Sequence, residues 1–413
     1  MIHKVRDLFL TDTGKDTFIV LIGTLINVFL AGIFFIMAPR VLGPADYGLF
    51  STVVATGFMI IAISNFGIDT GILRFAGTEA KKQNKLFSIA FKAYLVIGLG
   101  FTLLGLFLSP LIAIFFNQPE IVNLLRIAFV ATIFILLSNF FTAALQARKE
   151  FAKASLINIS TNITRVLLVV LAFYFLKLGL LLITLIFFFT PIISVVLGKI
   201  LLPFRLVKTE KSQNISFLKF NFWIAAAFLI AAVPYDNYFL LKITGPIQVG
   251  LYAAPFKVLT FAHQFGGNFT RVLASRFASF DTTEKVIRFT KKSSVLVTFF
   301  IINLAILFIF AKPVTLILFG EQFIESTHIM QILTVAFGFF FMTLIPSSII
   351  LYYFGNSKAT FFITLIRILV FVLVLSAFVP KSGAIGAAYA FLFAEITAFI
   401  LMSAYTLIKL NSK

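Results

Sequence analysis

The chain has 413 residues, of which 61% are apolar and only 12% are charged, and its mean hydropathy is +1.08. A soluble protein is close to half apolar and a quarter charged, so this composition excludes an ordinary soluble enzyme and a disordered chain, and it requires a lipid environment. The absence of cysteine excludes disulfides, cysteine-ligated zinc and iron–sulfur clusters. The net charge of +19 would suggest nucleic-acid binding in a soluble protein. Here the positions of the charged residues along the chain argue against that function.

Long apolar runs predict twelve membrane-spanning helices joined by short connections. The first run is long and is followed by Arg40, so we interpret it as a retained span rather than a cleaved signal peptide. The predicted spans cover residues 17–39, 48–73, 88–116, 121–146, 153–176, 178–203, 220–241, 248–275, 293–319, 328–354, 359–379 and 383–408.

Lys and Arg residues are divided unevenly between the two sides of the membrane that these spans define. The side with the N-terminus carries 25 of the 34, the other side carries six, and Arg165, Lys257 and Arg367 fall inside helices. Because Lys and Arg in short loops collect on the cytoplasmic side, this asymmetry predicts a multi-pass protein of the cytoplasmic membrane with both termini in the cytoplasm.

The loop after the first span recurs after the seventh. It reads Arg-Val-Leu-Gly-Pro-Ala-Asp-Tyr-Gly-Leu-Phe at 40–50 and Lys-Ile-Thr-Gly-Pro-Ile-Gln-Val-Gly-Leu-Tyr at 242–252, an offset of 202 residues, and Arg165 and Arg367 share that offset. This repetition indicates a duplicated unit of six helices; the alternative is chance similarity in a low-complexity sequence. A duplicated unit of six helices enters the membrane twice from the same side, which relates the copies by an axis along the membrane normal.

The predicted fold class is therefore an all-α integral membrane protein, with about twelve transmembrane helices in two pseudo-symmetric six-helix lobes. We expect an N-terminal lobe at 1–203, a cytoplasmic linker at 204–219 and a C-terminal lobe at 220–413.

Arg165 is the first of the ionisable residues predicted to lie deep in the membrane. It follows Lys153 by twelve residues, which places it roughly 18 Å along a helix. Asn158, Thr161 and Asn162 lie on its face of an otherwise apolar helix. A charge at that depth costs roughly 2.5–3.5 kcal/mol, and Arg suits phosphate. We interpret the stripe as an anion site in a central cavity; the alternative is an Arg neutralised by a partner helix.

Arg367 is the counterpart of Arg165 in the second half. Two such arginines facing one another would suit a diphosphate, whereas the competing interpretation is a salt bridge between Arg367 and Glu395, which also lies near mid-membrane. Both interpretations can hold if the ion pair between Arg367 and Glu395 forms in one conformation and opens in another.

The eighth span carries a polar stripe. Lys257, Gln264, Asn268, Arg271 and Ser275 are spaced by 7, 4, 3 and 4 residues, so they share one helix face. We assign Lys257, Asn268 and Arg271 to a predicted substrate-binding set with Arg165, Arg367, Asn158 and Asn162. Arg271 is almost as well explained as an anchor at the cytoplasmic end.

Acidic residues provide the predicted coupling or gating groups. Asp236 follows Pro234 and has a predicted depth similar to that of Lys257, which makes an ion pair plausible. Asp69 near Arg74 is more typical of a solvated acid at a helix end, and Asn27 and Asn139 are typical of hydrogen bonds between helices. Glu395 completes this set.

Catalytic signatures are missing from the sequence. It has no paired nucleophile and base, no metal-ligand spacing among its three His residues, no P-loop and no dinucleotide fingerprint. We therefore expect neither an enzyme nor a metal or other cofactor, and transport driven by ATP bound to this chain alone is not expected.

The phrase APRVLGPADYGLFS at 38–51, together with twelve spans and duplicated halves, resembles the polysaccharide-exporter and O-antigen flippase family of the multidrug/oligosaccharidyl-lipid/polysaccharide exporter superfamily. Asp236 with Gly245, Gly250, Tyr252 and Lys257 resembles the family's second-half pattern, and Pro255 departs from the small residue usual at that position. The resemblance covers essentially the whole chain but leaves the sugar open.

The resemblance implies a flippase that moves a polyprenyl-diphosphate-linked oligosaccharide to the outer leaflet by alternating access through a cationic cavity. It implies Arg165, Arg367 and Lys257 as diphosphate or acidic-sugar contacts, and Asp236 and Glu395 as groups that couple transport to a proton or sodium ion. Polysaccharide polymerase and glycosyltransferases would be partners, together with membrane lipid.

Three alternatives remain at this point. A drug or cation antiporter of the same superfamily would need acids facing its substrate, a membrane glycosyltransferase or polymerase would need a large outer loop or an acidic catalytic motif, and a scaffold would need no wet cavity.

Overall fold

The computed structural model describes residues 12–75, 80–175, 179–207 and 233–411. The described residues form helices and their connections and contain no strand. The helices are α1 Asp12–Asn65, α2 Ile68–Phe75, α3 Ala80–Phe116, α4 Ile121–Ala147, α5 Phe151–Phe175, α6 Leu180–Phe189, α7 Pro191–Leu201, α8 Tyr235–Thr244, α9 Pro246–Phe277, α10 Thr283–Ile309, α11 Ala311–Phe319, α12 Ser326–Ser348 and α13 Ser357–Asn411, with a short 3₁₀ turn at Glu321–Phe323 and a π-helical turn at Ile349–Tyr353.

Eight of the described helical segments are long and apolar enough to cross a membrane. The two longest, α1 and α13, each consist of two helices joined at a non-helical glycine, Gly43 and Gly383 respectively. Helix α13 accounts for the last two predicted spans, and α1 accounts for the first span and most of the second, 48–73, which continues in α2 after a break. The predicted span 178–203 is divided into α6 and α7, and most of the predicted span 220–241 lies outside the described residues. The chain is an all-α, multi-pass membrane protein, as its composition indicates.

The chain divides into two compact units whose boundaries do not coincide with its midpoint. The first unit holds Met1–Phe34 and Phe50–Pro234, and the second holds Phe35–Leu49 and Tyr235–Lys413. The turn between the first two spans therefore belongs with the second half of the chain. The predicted division at 203 and 220 places that turn in the N-terminal lobe, and most of the predicted linker lies outside the described residues.

The duplicated loops share a backbone conformation. Gly43 has φ 73° and ψ 172°, Gly245 has φ 86° and ψ 178°, and a proline follows each of them. These positive φ values favour glycine over any residue with a Cβ atom. The equal geometry at an offset of 202 residues supports the internal duplication.

Within the second unit the two loops also pack reciprocally. A Cβ atom on Gly48 would lie 1.8 Å from the carbonyl oxygen of Pro246, and one on Gly250 would lie 1.9 Å from the carbonyl oxygen of Pro44. Such distances leave room for hydrogen only, so both glycines are required by this contact. The turn is fixed further by Gln322, whose Nε2 donates to the Arg40 carbonyl at 3.0 Å.

Aromatic packing forms much of each core. In the first unit, the buried rings of Phe87 and Phe140 from α3 and α4 meet edge to face, with centroids 6.1 Å apart. In the second unit, Phe256 of α9 contacts Phe391 of α13, with centroids 5.3 Å apart. Many Leu, Ile and Phe side chains on the outer faces of the helices are exposed, as expected for a surface that lies in lipid.

Candidate functional site

The first unit contains a polar cavity of about 260 Å³ between its helices. Phe58, Phe187 and Phe188 form much of its apolar wall. Of the described residues that line this cavity, only Arg165 is charged, and none is acidic. Its polar lining consists of Asn27, Ser138, Asn139, Asn158, Thr161, Asn162 and Arg165.

Helix α5 brings the predicted stripe into this cavity. Asn158, Thr161, Asn162 and Arg165 all line it, as their helical spacing predicts. The hydroxyl of Thr161 is hydrogen-bonded to the hydroxyl of Ser194 in α7. The structure therefore brings together the first-half residues that the sequence identifies as a site.

Neutral groups hold the guanidinium of Arg165. Its Nη1 donates to Asn162 Oδ1 at 2.8 Å and its Nη2 donates to the Phe187 carbonyl at 3.0 Å. The Arg165 Cζ lies 4.2 Å from the ring centroid of Phe187 and 5.5 Å from that of Phe34, which are favourable cation–π distances. Phe187 and Phe34 were not identified from the sequence, since nothing in a phenylalanine-rich helix marks one ring as a cation's neighbour.

A second hydrogen bond extends this network to the first spanning helix. Asn162 Nδ2 donates to Asn27 Oδ1 at 2.6 Å, so Asn27 bonds between helices, as its isolated position predicts. Asn162 thereby links α1 to the guanidinium of Arg165.

The cavity is cationic because this charge is not neutralised there. Arg165 is only 9% exposed, and no carboxylate contacts it among the described residues. Its Nε is buried and has no hydrogen-bond partner in the described part of the chain. A buried guanidinium with spare donors is suited to an anion, because charge-assisted hydrogen bonds are about twice as strong as neutral ones.

Arg367 has different surroundings. In the second unit its Nη2 donates to Glu395 Oε1 at 2.5 Å, and the two side chains are 36% and 2% exposed. The salt bridge weighed for this pair is therefore present. Arg367 is charge-neutralised in this conformation, unlike Arg165.

Lys257 and Asp236 lie in the second unit beside aromatic residues. The Nζ of Lys257 is 4.4 Å from the ring centroid of Phe35. Asp236 begins α8, accepts a hydrogen bond from the Asn237 amide at 2.9 Å, and has its carboxylate beside the buried hydroxyl of Tyr252. An ion pair between Asp236 and Lys257 stays a prediction.

Asp69 does not have the solvated environment expected for an acid at a helix end. Helix α1 ends at Asn65, and Asp69 lies at the start of α2 after the positive-φ residues Phe66 and Gly67. Its carboxylate accepts hydrogen bonds from Tyr94 Oη at 2.6 Å and Asn65 Nδ2 at 2.7 Å. The break between α1 and α2, which the apolar pattern does not show, brings these three side chains together.

The predicted residues Asn268 and Arg271 belong to α9, but their side chains lie outside the part of the chain that is described. Their place in the substrate-binding set stays a prediction.

A model of the polysaccharide biosynthesis protein family matches residues 36–328. The chain belongs to this family. A search of curated protein sequences gives no match.

Solved structures of transporters share the fold. The lipid II flippase MurJ in an inward closed conformation has a TM-score of 0.76 at 15% identity, with 95% of this chain and 91% of that chain covered. An inward-facing multidrug resistance MATE transporter of the MOP superfamily also reaches 0.76 at 15% identity, covering 94% and 95%. A MOP superfamily transporter from Pyrococcus furiosus, whose binding pocket has reverse polarity, reaches 0.67 at 14% identity, covering 96% and 94%.

These comparisons confirm the family resemblance and the fold expected from the sequence. At such low identity the structural matches establish the fold alone, which flippases and drug transporters of the MOP superfamily share. The three solved structures described above are a flippase and two transporters. The choice of substrate must therefore rest on the site of this chain.

Proposed function

We propose that this protein is a flippase for a polyprenyl-diphosphate-linked oligosaccharide in the cytoplasmic membrane, with both termini in the cytoplasm, and that it serves cell-surface polysaccharide biosynthesis. The observation that carries the proposal is the buried, uncompensated guanidinium of Arg165 in a polar cavity. Membership of a polysaccharide biosynthesis family supports the class of substrate.

The chemistry of the cavity suits the head group of such a lipid. Moving a diphosphate out of water is costly unless fixed cations and donors replace its hydration. Arg165 offers charge and hydrogen bonds, while the amides of Asn139 and Asn158 on the cavity wall offer hydrogen-bond donors and acceptors for sugar hydroxyls. The prenyl tail stays in the bilayer throughout, so the protein has to shelter only the polar end.

The cycle we propose is alternating access between two packings of the molecule. Arg367 and Glu395 supply a coupling element, because binding of a proton or sodium ion at Glu395 would release the cation that now neutralises it. Asp236 and Asp69 are further candidates for the coupling ion's site. Glycosyltransferases and a polysaccharide polymerase would supply and consume the substrate.

An antiporter for organic cations is the competing function, since MATE transporters have the same fold. A cationic substrate would be repelled by a fixed cation that no acidic group neutralises. Among the described residues that line the cavity there is an arginine and no acid, which favours an anionic substrate.

The deciding experiment measures flipping of a fluorescent polyprenyl-diphosphate oligosaccharide in proteoliposomes. We expect the wild type to flip it and Arg165→Ala to lower the rate about 10- to 100-fold, the equivalent of losing charge-assisted hydrogen bonds worth roughly 1.5–3 kcal/mol. The matched control is Arg288→Ala, because Arg288 lies 72% exposed and pairs with Glu284 outside the cavity.

Other outcomes would reject the proposal in different ways. Exchange of an organic cation without lipid flipping would establish the antiporter. Equal flipping by wild type and Arg165→Ala would keep the function and reject the site.

A further inference from the structure

At the junction between α6 and α7 a proline, Pro191, stands where a continuous helix would supply a backbone N–H. Helix α6 ends at Phe189 and α7 begins at Pro191. In a continuous helix the N–H of residue 191 would donate to the carbonyl of residue 187, but proline has no N–H. The Phe187 carbonyl, in a residue that is only 6% exposed, therefore needs other donors.

Arg165 is one of the donors that replace the missing one. Its Nη2 donates to the Phe187 carbonyl at 3.0 Å, and Thr190 Oγ1 donates to the same oxygen at 3.3 Å. The ring of Phe187 faces the guanidinium at 4.2 Å. The backbone and the side chain of one residue thus fix the same cation from two directions.

We propose that Pro191 is a positioning residue for Arg165. By withholding an N–H from the Phe187 carbonyl, it keeps that oxygen available to the guanidinium and so fixes the cation before an anion arrives. A group held in its binding geometry in advance loses less freedom when the ligand binds, and affinity rises accordingly. The consequence for transport rests on the proposed function, whereas the consequence for Arg165 itself does not.

Pro191→Ala supplies the missing N–H and tests the proposal. The new N–H competes for the Phe187 carbonyl, which joins α6 to α7 and displaces Nη2 of Arg165. Proline is well tolerated at the first position of a helix and restricts the unfolded chain, whereas alanine gains a backbone hydrogen bond, so we expect thermal stability to stay close to that of the wild type while anion affinity falls. A proline with a merely structural role predicts that any loss of affinity comes with a loss of thermal stability.

The first measurement is made without any substrate. In ¹⁵N-arginine-labelled protein, the guanidinium signals of Arg165 are assigned by their loss in Arg165→Lys. We expect Pro191→Ala to shift the Nη signals and to speed their exchange with water, because their acceptor is lost. Unchanged Arg165 signals in folded Pro191→Ala protein would overturn the proposal.

The second measurement is equilibrium binding of inorganic pyrophosphate to the full chain in detergent. We expect Pro191→Ala to weaken binding about 5- to 30-fold, and to weaken it no further when Arg165→Ala is already present. Pro191 itself lines the cavity. Pro110→Ala is the control for gaining an N–H inside a helix of the same unit, because Pro110 lies in α3 away from the cavity lining, and it should stay within twofold of wild type.

Each remaining outcome has a definite meaning. Wild-type binding by Pro191→Ala, or the same loss in the Arg165→Ala background, overturns the positioning role. If the wild type does not bind pyrophosphate, the proposed anion site fails while the guanidinium spectra still decide the role of Pro191. Pro191→Ser supplies the same N–H and replaces Pro191→Ala if the latter does not accumulate.

Discussion

Arg165 and Arg367 occupy equivalent positions in the two halves, yet their charges are balanced in opposite ways. Arg165 is held by an amide oxygen, a carbonyl oxygen and two aromatic faces, whereas Arg367 is paired with a buried carboxylate. The first arrangement leaves a net positive charge beside a cavity and the second leaves none. Equivalent residues from a duplication have thus acquired different electrostatic roles.

The same divergence appears at a second pair of equivalent positions. In the first unit the rings of Phe34 and Phe50 pack with centroids 6.0 Å apart, and Phe34 is one of the faces near Arg165. In the second unit the corresponding residues are Asp236 and Tyr252, a carboxylate beside a hydroxyl. One half has aromatic faces where the other has an acid, and we propose that this difference separates anion binding in the first half from ion coupling in the second.

Substitution of Gly48 or Gly250, the glycines at the reciprocal contact of the two duplicated loops, should lower stability the most. Gly48→Ala or Gly250→Ala places a methyl group within 2 Å of a proline carbonyl oxygen, and a backbone group is not able to rotate away. We expect a loss of about 3 kcal/mol or more in unfolding free energy, at the upper end of overpacking costs, measured by denaturant or thermal unfolding in detergent.

Gly100→Ala is the control for this substitution. No atom lies within 4 Å of the Cβ position on Gly100, so alanine there should be neutral or stabilising by up to about 1 kcal/mol. Equal stability of Gly48→Ala and Gly100→Ala would mean that the two loops are not packed as closely as described.

Substitution of Arg367, which is paired with Glu395, should cause the next largest loss of stability. Arg367→Ala leaves Glu395 buried and unpaired, and breaking a buried pair costs about 3–5 kcal/mol. Because Arg367 itself is 36% exposed, we expect a smaller loss, about 2–3 kcal/mol, in thermal unfolding at neutral pH. The double variant Arg367→Gln with Glu395→Gln should recover most of it, since no charge is left buried. Failure of the double variant to recover would show that packing, rather than charge, holds the two side chains together.

The sequence predicted those features that follow from periodicity and repetition. Apolar runs predicted the helices, the offset of 202 residues paired the loops and the two arginines, and helical spacing placed Asn158, Asn162 and Arg165 on one face. The contacts of Phe187 and the hydrogen bonds of Asp69 were not predictable in this way. They depend on a missing N–H at Pro191 and on a helix break at Phe66, both local backbone events that leave hydropathy unchanged.

Substitution of Arg165 should change stability less than substitution of Gly48, Gly250 or Arg367, although we propose that Arg165 contributes most to binding. Arg165→Leu removes a buried cation that no carboxylate balances, so the relief of its desolvation offsets the hydrogen bonds lost at Asn162 and Phe187. Thr190 continues to donate to the Phe187 carbonyl, which limits the cost further. We expect a change in unfolding free energy within about 1 kcal/mol, together with pyrophosphate binding weakened about 10- to 100-fold. A loss as large as that of Arg367→Ala would make Arg165 a structural counter-charge for a group outside the described contacts, and the contrast between the two halves would then fail.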